Sequence, residues 1–196
     1  ALREYTHIIV EEVDRLRDLV DSMLGPNRML KHEPVNIHKV LERVRALLIA
    51  EHPCVTISRD YDPSLPDLSA DESQMIQAVL NVARNAVQAM SDAQTPEPCL
   101  ILRTRARRQF TLGAERHRLV SEVAVIDNGP GVPIALQETL FYPMVSGRAE
   151  GSGLGLSIAQ SILHQHQGLI ECDSRPGHTE FRLLIPMVIN YTGEAS

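Results

Sequence analysis

Along the first 24 residues, Leu2, Ile9, Val13, Leu16, Val20 and Met23 recur at steps of 7, 4, 3, 4 and 3, which predicts one amphipathic helix with a single heptad-like seam. Thr6 fills the one seam position that is not apolar, while Glu11, Glu12, Asp14, Arg15, Arg17 and Asp18 form the solvated face. Gly25-Pro26 ends the helix, because glycine accepts a left-handed cap and proline cannot continue the hydrogen-bond ladder. A seam of this length needs cover. The domain that follows is one candidate; a helical bundle with another chain and a segment upstream is the other.

Past a polar linker at 25–33, residues 34–37 predict a short strand. Val40, Leu41, Val44, Leu47 and Leu48 then give a helical stripe, and residues 55–59 alternate as a strand. Residues 62–66 read as turn. A second helix is expected over 70–90, with Asp71 in its first turn to complement the helix dipole. Strands at 100–107 and 119–126 flank a polar connection. The glycine- and proline-rich stretch 127–153 is too long for an ordinary connection and reads as functional or mobile. A third helix over 154–167 and strands at 169–173 and 179–186 close the pattern. The mixture predicts an α+β fold: a two-layer α/β sandwich, a mixed sheet covered by helices on one face, preceded by the amphipathic helix. The domain is expected over 34–187, with a tail at 188–196.

Composition narrows the classes. Of 196 residues, 43% are hydrophobic and 22% charged, which fits a globular chain rather than a disordered one. The formal net charge of −6 argues against nucleic acid as partner. No run approaches the roughly 18 apolar residues of a membrane span, so no membrane association is expected. Cys54, Cys99 and Cys172 are odd in number and far apart, which fits neither a metal site nor a disulfide framework and points to a reducing, cytoplasmic setting.

Three stretches carry chemistry. In Asn81-Val82-Ala83-Arg84-Asn85-Ala86 the two asparagines lie four residues apart and share a helix face. Carboxamide oxygens suit Mg²⁺, with water and phosphate completing its shell, and Arg84 beside them offers charge to a phosphate. The alternative is a solvated polar face, which the apolar neighbours Leu80, Val82, Ala83, Ala86 and Val87 disfavour. Asp127-Asn128-Gly129-Pro130-Gly131 follows an apolar strand; its carboxylate suits an exocyclic amine and its glycines a flat ring, although the same letters make a turn. Gly151-Ser152-Gly153-Leu154-Gly155-Leu156 opens a helix, where backbone N–H groups favour anions. It is neither a dinucleotide fingerprint nor a Walker loop, having the wrong glycine spacing and no lysine.

These three stretches resemble the N box and two glycine boxes of histidine-kinase ATP-binding domains, part of the superfamily that includes gyrase, the Hsp90 chaperones and MutL. The resemblance covers residues 34–187. Gly177-His178-Thr179-Glu180-Phe181 resembles the last glycine-threonine box with His178 inserted, and Phe141-Tyr142-Pro143-Met144 stands where an aromatic lid box is expected. The stretches DRLRDLVDSMLGP at 14–26, RDYDPSLP at 59–66, LFYPMVSGR at 140–148 and PGHTEF at 176–181 resemble the nitrogen-regulating kinases of that family.

The resemblance implies ATP and Mg²⁺ as cofactors. Asn85 is then the Mg²⁺ ligand, and Asp127 binds the adenine amino group, with Gly129 and Gly131 shaping the pocket and Thr179 assisting. Gly151, Ser152, Gly153, Leu154 and Gly155 cradle the phosphates, and Arg148 reaches them. Asn81 stands where ATP-hydrolysing relatives carry a catalytic glutamate; an amide cannot deprotonate water, which favours phosphoryl transfer over hydrolysis. Residues 1–24 resemble the second helix of the dimerising phosphotransfer hairpin, so the acceptor histidine is expected on a helix absent from this chain, and no autophosphorylation by the chain alone. His7 is followed by Ile8-Ile9-Val10 rather than by the acidic residue and Arg/Asn-Pro turn of acceptor histidines. His38, His52, His117, His164, His166 and His178 show no metal-ligand spacing. The implied partners are a response regulator of the NtrC type, a PII-type signal protein and a second kinase protomer. Two other classes stay open: a gyrase-like ATPase clamp, and a partner-binding module without nucleotide.

Overall fold

A computed structural model describes residues 30–143 and 153–187. The expected helix 1–24, most of the linker, Met144, Arg148, Gly151, Ser152 and the tail lie outside the described residues. Strand β1 (Glu33–Val35) leads into helix α1 (Ile37–Glu51), followed by β2 (Thr56–Asp60), β3 (Leu68–Ala70) and helix α2 (Glu72–Asp92). Then come β4 (Cys99–Leu112), β5 (Glu115–Asp127), the short helix α3 (Ile134–Gln137), helix α4 (Gly155–Gln165), β6 (Leu169–Arg175) and β7 (His178–Pro186). Strands β1 and β3 pair as a small antiparallel ribbon, and the other five form one sheet in the order β2-β4-β5-β7-β6. Only the β2–β4 pairing is parallel, so the sheet is mixed, as expected.

Helices α2 and α4 pack on one face of the sheet, and α1 packs on α2. On α2, Met75, Ala78, Val79, Val82, Ala83, Ala86, Val87 and Met90 are buried at helical spacing, the stripe that the sequence pattern predicts. They meet Leu100, Leu102, Val123, Val125, Phe181, Leu183 and Ile185 of the sheet in one core. The opposite face is covered by its own side chains. Glu122 is 2% exposed there; it accepts from Arg107 at 2.8 and 3.1 Å, and Arg103 beside it pairs with Glu180. Burial on both faces explains the unbroken run of buried residues from Val120 to Asp127.

Several bounds differ from expectation for local reasons. Asn36 caps α1 by accepting from the N–H groups of His38 and Lys39, so the first strand ends at Val35 and Ile37 already belongs to the helix. Asp71 is the N-cap of α2 rather than a first-turn residue, its Oδ1 accepting the Gln74 N–H at 3.2 Å. Residues 68–70, placed partly in that helix by pattern, are strand β3. The polar connection between the two long strands is itself a hairpin, turning at Gly113-Ala114 with Gly113 at φ 60°. Glycine with positive φ at the first turn position matches a tight hairpin turn.

Candidate functional site

Asp127 is the last residue of β5, on the same core-facing side as Val123 and Val125, and stands directly across from Thr179 of β7. Alternation along the strand therefore carries a carboxylate to the edge of an apolar core. Both residues are 4% exposed. Asp127 Oδ1 accepts the Gly129 N–H at 2.8 Å, which leaves Oδ2 for a ligand. Burial pushes the Asp127 carboxyl above the ordinary carboxylate range, against the opposing pull of the Gly129 bond and the His178 charge.

The loop after Asp127 is tied to the β6–β7 hairpin at several points. Gly177 N–H donates to the Gly129 carbonyl at 2.8 Å. Ser174 Oγ lies 2.9 Å from Thr179 Oγ1 and accepts the Val132 N–H at 2.8 Å. Both glycines of the loop have steric reasons. A methyl on Gly129 would sit 2.7 Å from Asp127 Oδ1 and 3.1 Å from Met90 Cγ. Gly131 has φ +84°, and a methyl there would lie 2.9 Å from the Arg175 carbonyl carbon. Asn128 is engaged with the start of β4, accepting the Cys99 N–H at 2.9 Å and donating to the Glu97 carbonyl at 3.1 Å. Below, Phe141 meets Phe181 edge-on at 6.4 Å between ring centroids, so the aromatic segment after α3 is anchored on the same core.

The second half of the site is helical. Asn81 and Asn85 project from α2 one turn apart, and Asn81 Nδ2 donates to the Gly155 carbonyl at 3.2 Å, joining α2 to the first residue of α4. Gly153 takes φ 63°, and the buried Leu154 sits at the N-cap, its carbonyl accepting from Ile158 N–H at 2.9 Å and Ser157 Oγ at 2.8 Å. The other three residues expected near phosphate, Arg148, Gly151 and Ser152, lie outside the described residues. Arg84 is engaged elsewhere than expected: it donates to both carboxylate oxygens of Glu51, the last residue of α1, at 3.1 and 2.6 Å. One full turn of helix separates the two asparagines, whereas the step from Asn81 to Arg84 rotates the guanidinium toward α1.

Among the described residues, no group of three or more His, Cys, Asp or Glu could hold a metal ion. The Asn85 amide oxygen is of the hard, neutral kind that suits a cation carried by phosphate oxygens and water. Ser174, Met90 and the Gly177 clip are site features the sequence did not single out for these roles. Ser174 is an isolated serine in an alternating strand, and its partners lie 5 and 42 residues away.

Residues 70–189 match the family described as histidine kinase-, DNA gyrase B-, and HSP90-like ATPase. The chain is 54% identical over 189 residues to the sensory histidine kinase/phosphatase NtrB of Salmonella typhimurium, covering 95% of this chain and 53% of that protein. Identity to the NtrB of Rhizobium leguminosarum bv. phaseoli is 39% over 189 residues, covering 94% of this chain and 49% of that one. The chain thus spans about half the length of the curated relatives it matches. Full-length ShkA, solved in complex with AMPPNP, superposes with a TM-score of 0.74 at 25% identity over 95% of this chain and 39% of its own. The histidine kinase ThkA, solved with the response regulator TrrA, gives 0.71 at 23% identity over 96% and 52%, a likeness of fold alone. No helix among the described residues is long and apolar enough to cross a membrane. The matched stretch takes in α2, the strand end at Asp127 and the start of α4, and the chain belongs to the histidine kinase-, DNA gyrase B- and HSP90-like ATPase family.

Proposed function

We propose that this chain is the ATP-binding catalytic part of an NtrB-type sensor histidine kinase/phosphatase of nitrogen regulation. It delivers the ATP γ-phosphoryl to a histidine that these 196 residues do not supply, for relay to a response regulator of the NtrC type. The observation that carries the reading is the buried Asp127, held by Gly129 and faced by Thr179, in a chain whose α2 is joined to the start of α4 by the Asn81–Gly155 bond.

In this reading Asp127 Oδ2 accepts from the exocyclic amine of adenine, and Thr179 assists from across the strand pair. Gly129 and Gly131 keep the backbone clear of the flat ring. Gly151, Ser152, Gly153, Leu154 and Gly155 present N–H groups to the phosphates, and Arg148 reaches them. Asn85 gives one amide oxygen to Mg²⁺, whose chemistry there is to neutralise charge on the phosphate oxygens. Asn81 holds the start of α4 through its Nδ2 and has no basic atom for activating water. The γ-phosphoryl is thereby kept for a protein nucleophile. The reading includes a second kinase protomer, a PII-type signal protein and a cytoplasmic setting, and the 54% identity to NtrB supports it.

Calorimetric titration of ATP with and without Mg²⁺ tests the site. Mg²⁺ tightens ATP binding to the chain, and Asn85→Ala removes that gain without changing adenosine binding. Incubation with γ-labelled ATP leaves the chain unlabelled, and label appears on an added fragment that carries the acceptor histidine of an NtrB relative. Labelling of the chain by itself, or Mg²⁺-dependent hydrolysis in place of transfer, overturns the reading.

A further inference from the structure

His166 is 5% exposed, sits at the C-cap of α4, and has both ring nitrogens engaged. Nδ1 lies 2.8 Å from the Ile162 carbonyl, and Nε2 lies 3.1 Å from the backbone nitrogen of Asp71, the N-cap of α2. A carbonyl can only accept and an amide N–H can only donate. The partners therefore fix one neutral tautomer, with the proton on Nδ1 and the lone pair on Nε2. The Asp71 N–H precedes the helix and has no partner within it, so the imidazole fills a need that backbone geometry leaves open. Helices α2 and α4 run antiparallel here. Asn81 grips the first residue of α4, and His166, at its other end, grips the start of α2, two contacts separated by about 15 Å of helix.

We propose that His166 is a positioning residue for the phosphate end of the nucleotide site: its neutral imidazole pins the far end of α4 to α2 and so fixes where the N-terminus of α4 meets the helix bearing Asn81 and Asn85. The inference rests on the nucleotide reading above and deepens it. The charged and titratable groups facing the ring are Asp71 on α2 and His32 ahead of β1, the latter edge-on at 5.9 Å between centroids. Burial, with His32 adding to it, lowers the His166 pKa from its ordinary value, while Asp71 and the Ile162 carbonyl oppose the shift. The neutral clamp therefore persists below the usual histidine range. Protonation sets an N–H against an N–H and opens it.

The test compares the chain with His166→Phe, which keeps ring volume without the bonds, and His166→Gln, which offers Asp71 an acceptor that does not titrate. Binding of Mg-ATP and of adenosine is measured from about pH 8 to about pH 5, with circular dichroism melts confirming that each protein is folded. At pH 8 His166→Phe binds Mg-ATP about tenfold more weakly than the parent, the upper range for a lost hydrogen bond, while adenosine binding is equal. As pH falls, the parent loses its advantage and converges on His166→Phe. His166→Gln stays near the pH 8 parent value. Because all three are read against one another, titration of the nucleotide's own phosphate cancels. Equal Mg-ATP affinity of folded variants at pH 8, a pH-independent ratio, or parallel loss of adenosine overturns the inference. If His166→Phe does not fold, the pH response of the parent against His166→Gln decides. Failure of the parent to bind either ligand instead sinks the nucleotide reading, and this inference with it.

Discussion

The two ends of the candidate site are held together by different kinds of structure. The base end is made of strand register: Asp127 faces Thr179 because β5 and β7 pair there, and the loop beyond is stitched to the β6–β7 hairpin through Gly177, Ser174 and Val132. The phosphate end depends on two helices packed against each other in the core, whose ends are tied by one side-chain bond each, Asn81 to Gly155 and His166 to Asp71. Strand register is maintained by many cooperative backbone bonds and does not change by small amounts. A junction of two helices held at its ends by side chains can shift when one bond is lost. The base end is thus a fixed reference, and the phosphate end is the part whose geometry a single substitution moves.

The largest expected effect breaks the fixed end. Asp127→Asn keeps the volume and leaves an amide oxygen for the Gly129 N–H, but presents a neutral, partly donor group to the adenine amine. Loss of a charge-assisted hydrogen bond is worth about 100-fold in affinity, and it falls on ATP and adenosine alike. The same substitution does not lower Tm. Burial raises the Asp127 pKa, so between the ordinary carboxylate value and the raised one the folded chain binds more protons than the unfolded chain, and stability falls as pH rises through that window. Removing the charge removes that penalty. Calorimetry and melting curves at neutral pH check both halves. Unchanged adenosine affinity would show that the base does not sit on Asp127.

How much of this could be read beforehand divides along similar lines. Asp127 and the glycines beside it were legible because the apolar run of β5 ends on them, and the helix stripe of α2 fixed the shared face of Asn81 and Asn85. The outer half of the β4–β5 hairpin was not. Arg108, Gln109, Arg116 and Arg118 extend past the predicted strands and are exposed, and only Phe110 and Leu112 mark an apolar face there, in a small cluster with Val120 and Leu184. Strand β3 is three residues long and exists by pairing with β1, 33 to 37 residues away, a contact that no local pattern encodes. His166 shows the same limit at the site. Its spacing from His164 excludes a shared metal, but its job depends on Asp71, 95 residues earlier.

The next effect is smaller and selective. Asn81→Ala removes the bond to the Gly155 carbonyl and leaves the base end untouched. It weakens Mg-ATP about tenfold, with adenosine affinity unchanged and a melting temperature close to the parent's. Equal losses for both ligands would mean that the two ends are one rigid unit, and the contrast between them would disappear. Asn81→Asp separates holding from catalysis: a carboxylate cannot donate to Gly155, yet it restores a base of the hydrolytic type. ATP hydrolysis appearing in that variant would show that the amide is what keeps the phosphoryl group from water.

The smallest effect concerns Arg84, a candidate phosphate ligand whose guanidinium is engaged by Glu51 instead. Its side chain is 38% exposed and that of Glu51 34%, so their two-point contact is a surface ion pair worth no more than about 1 kcal/mol. Arg84→Ala is expected to change Mg-ATP affinity by less than about twofold and to lower Tm by a few degrees at most. Glu51→Ala reproduces the Tm change, and the double variant adds little to either, because both substitutions break one contact. High salt shrinks the difference between parent and variants, as screening of an exposed pair requires. A tenfold loss of Mg-ATP with adenosine unchanged would give the opposite answer: Arg84 leaves Glu51 when the nucleotide binds. The pair would then hold the guanidinium in reserve, and Glu51→Ala would strengthen ATP binding by freeing it. The sign of the Glu51→Ala effect on ATP therefore separates an ion pair that only joins α1 to α2 from one that competes with phosphate.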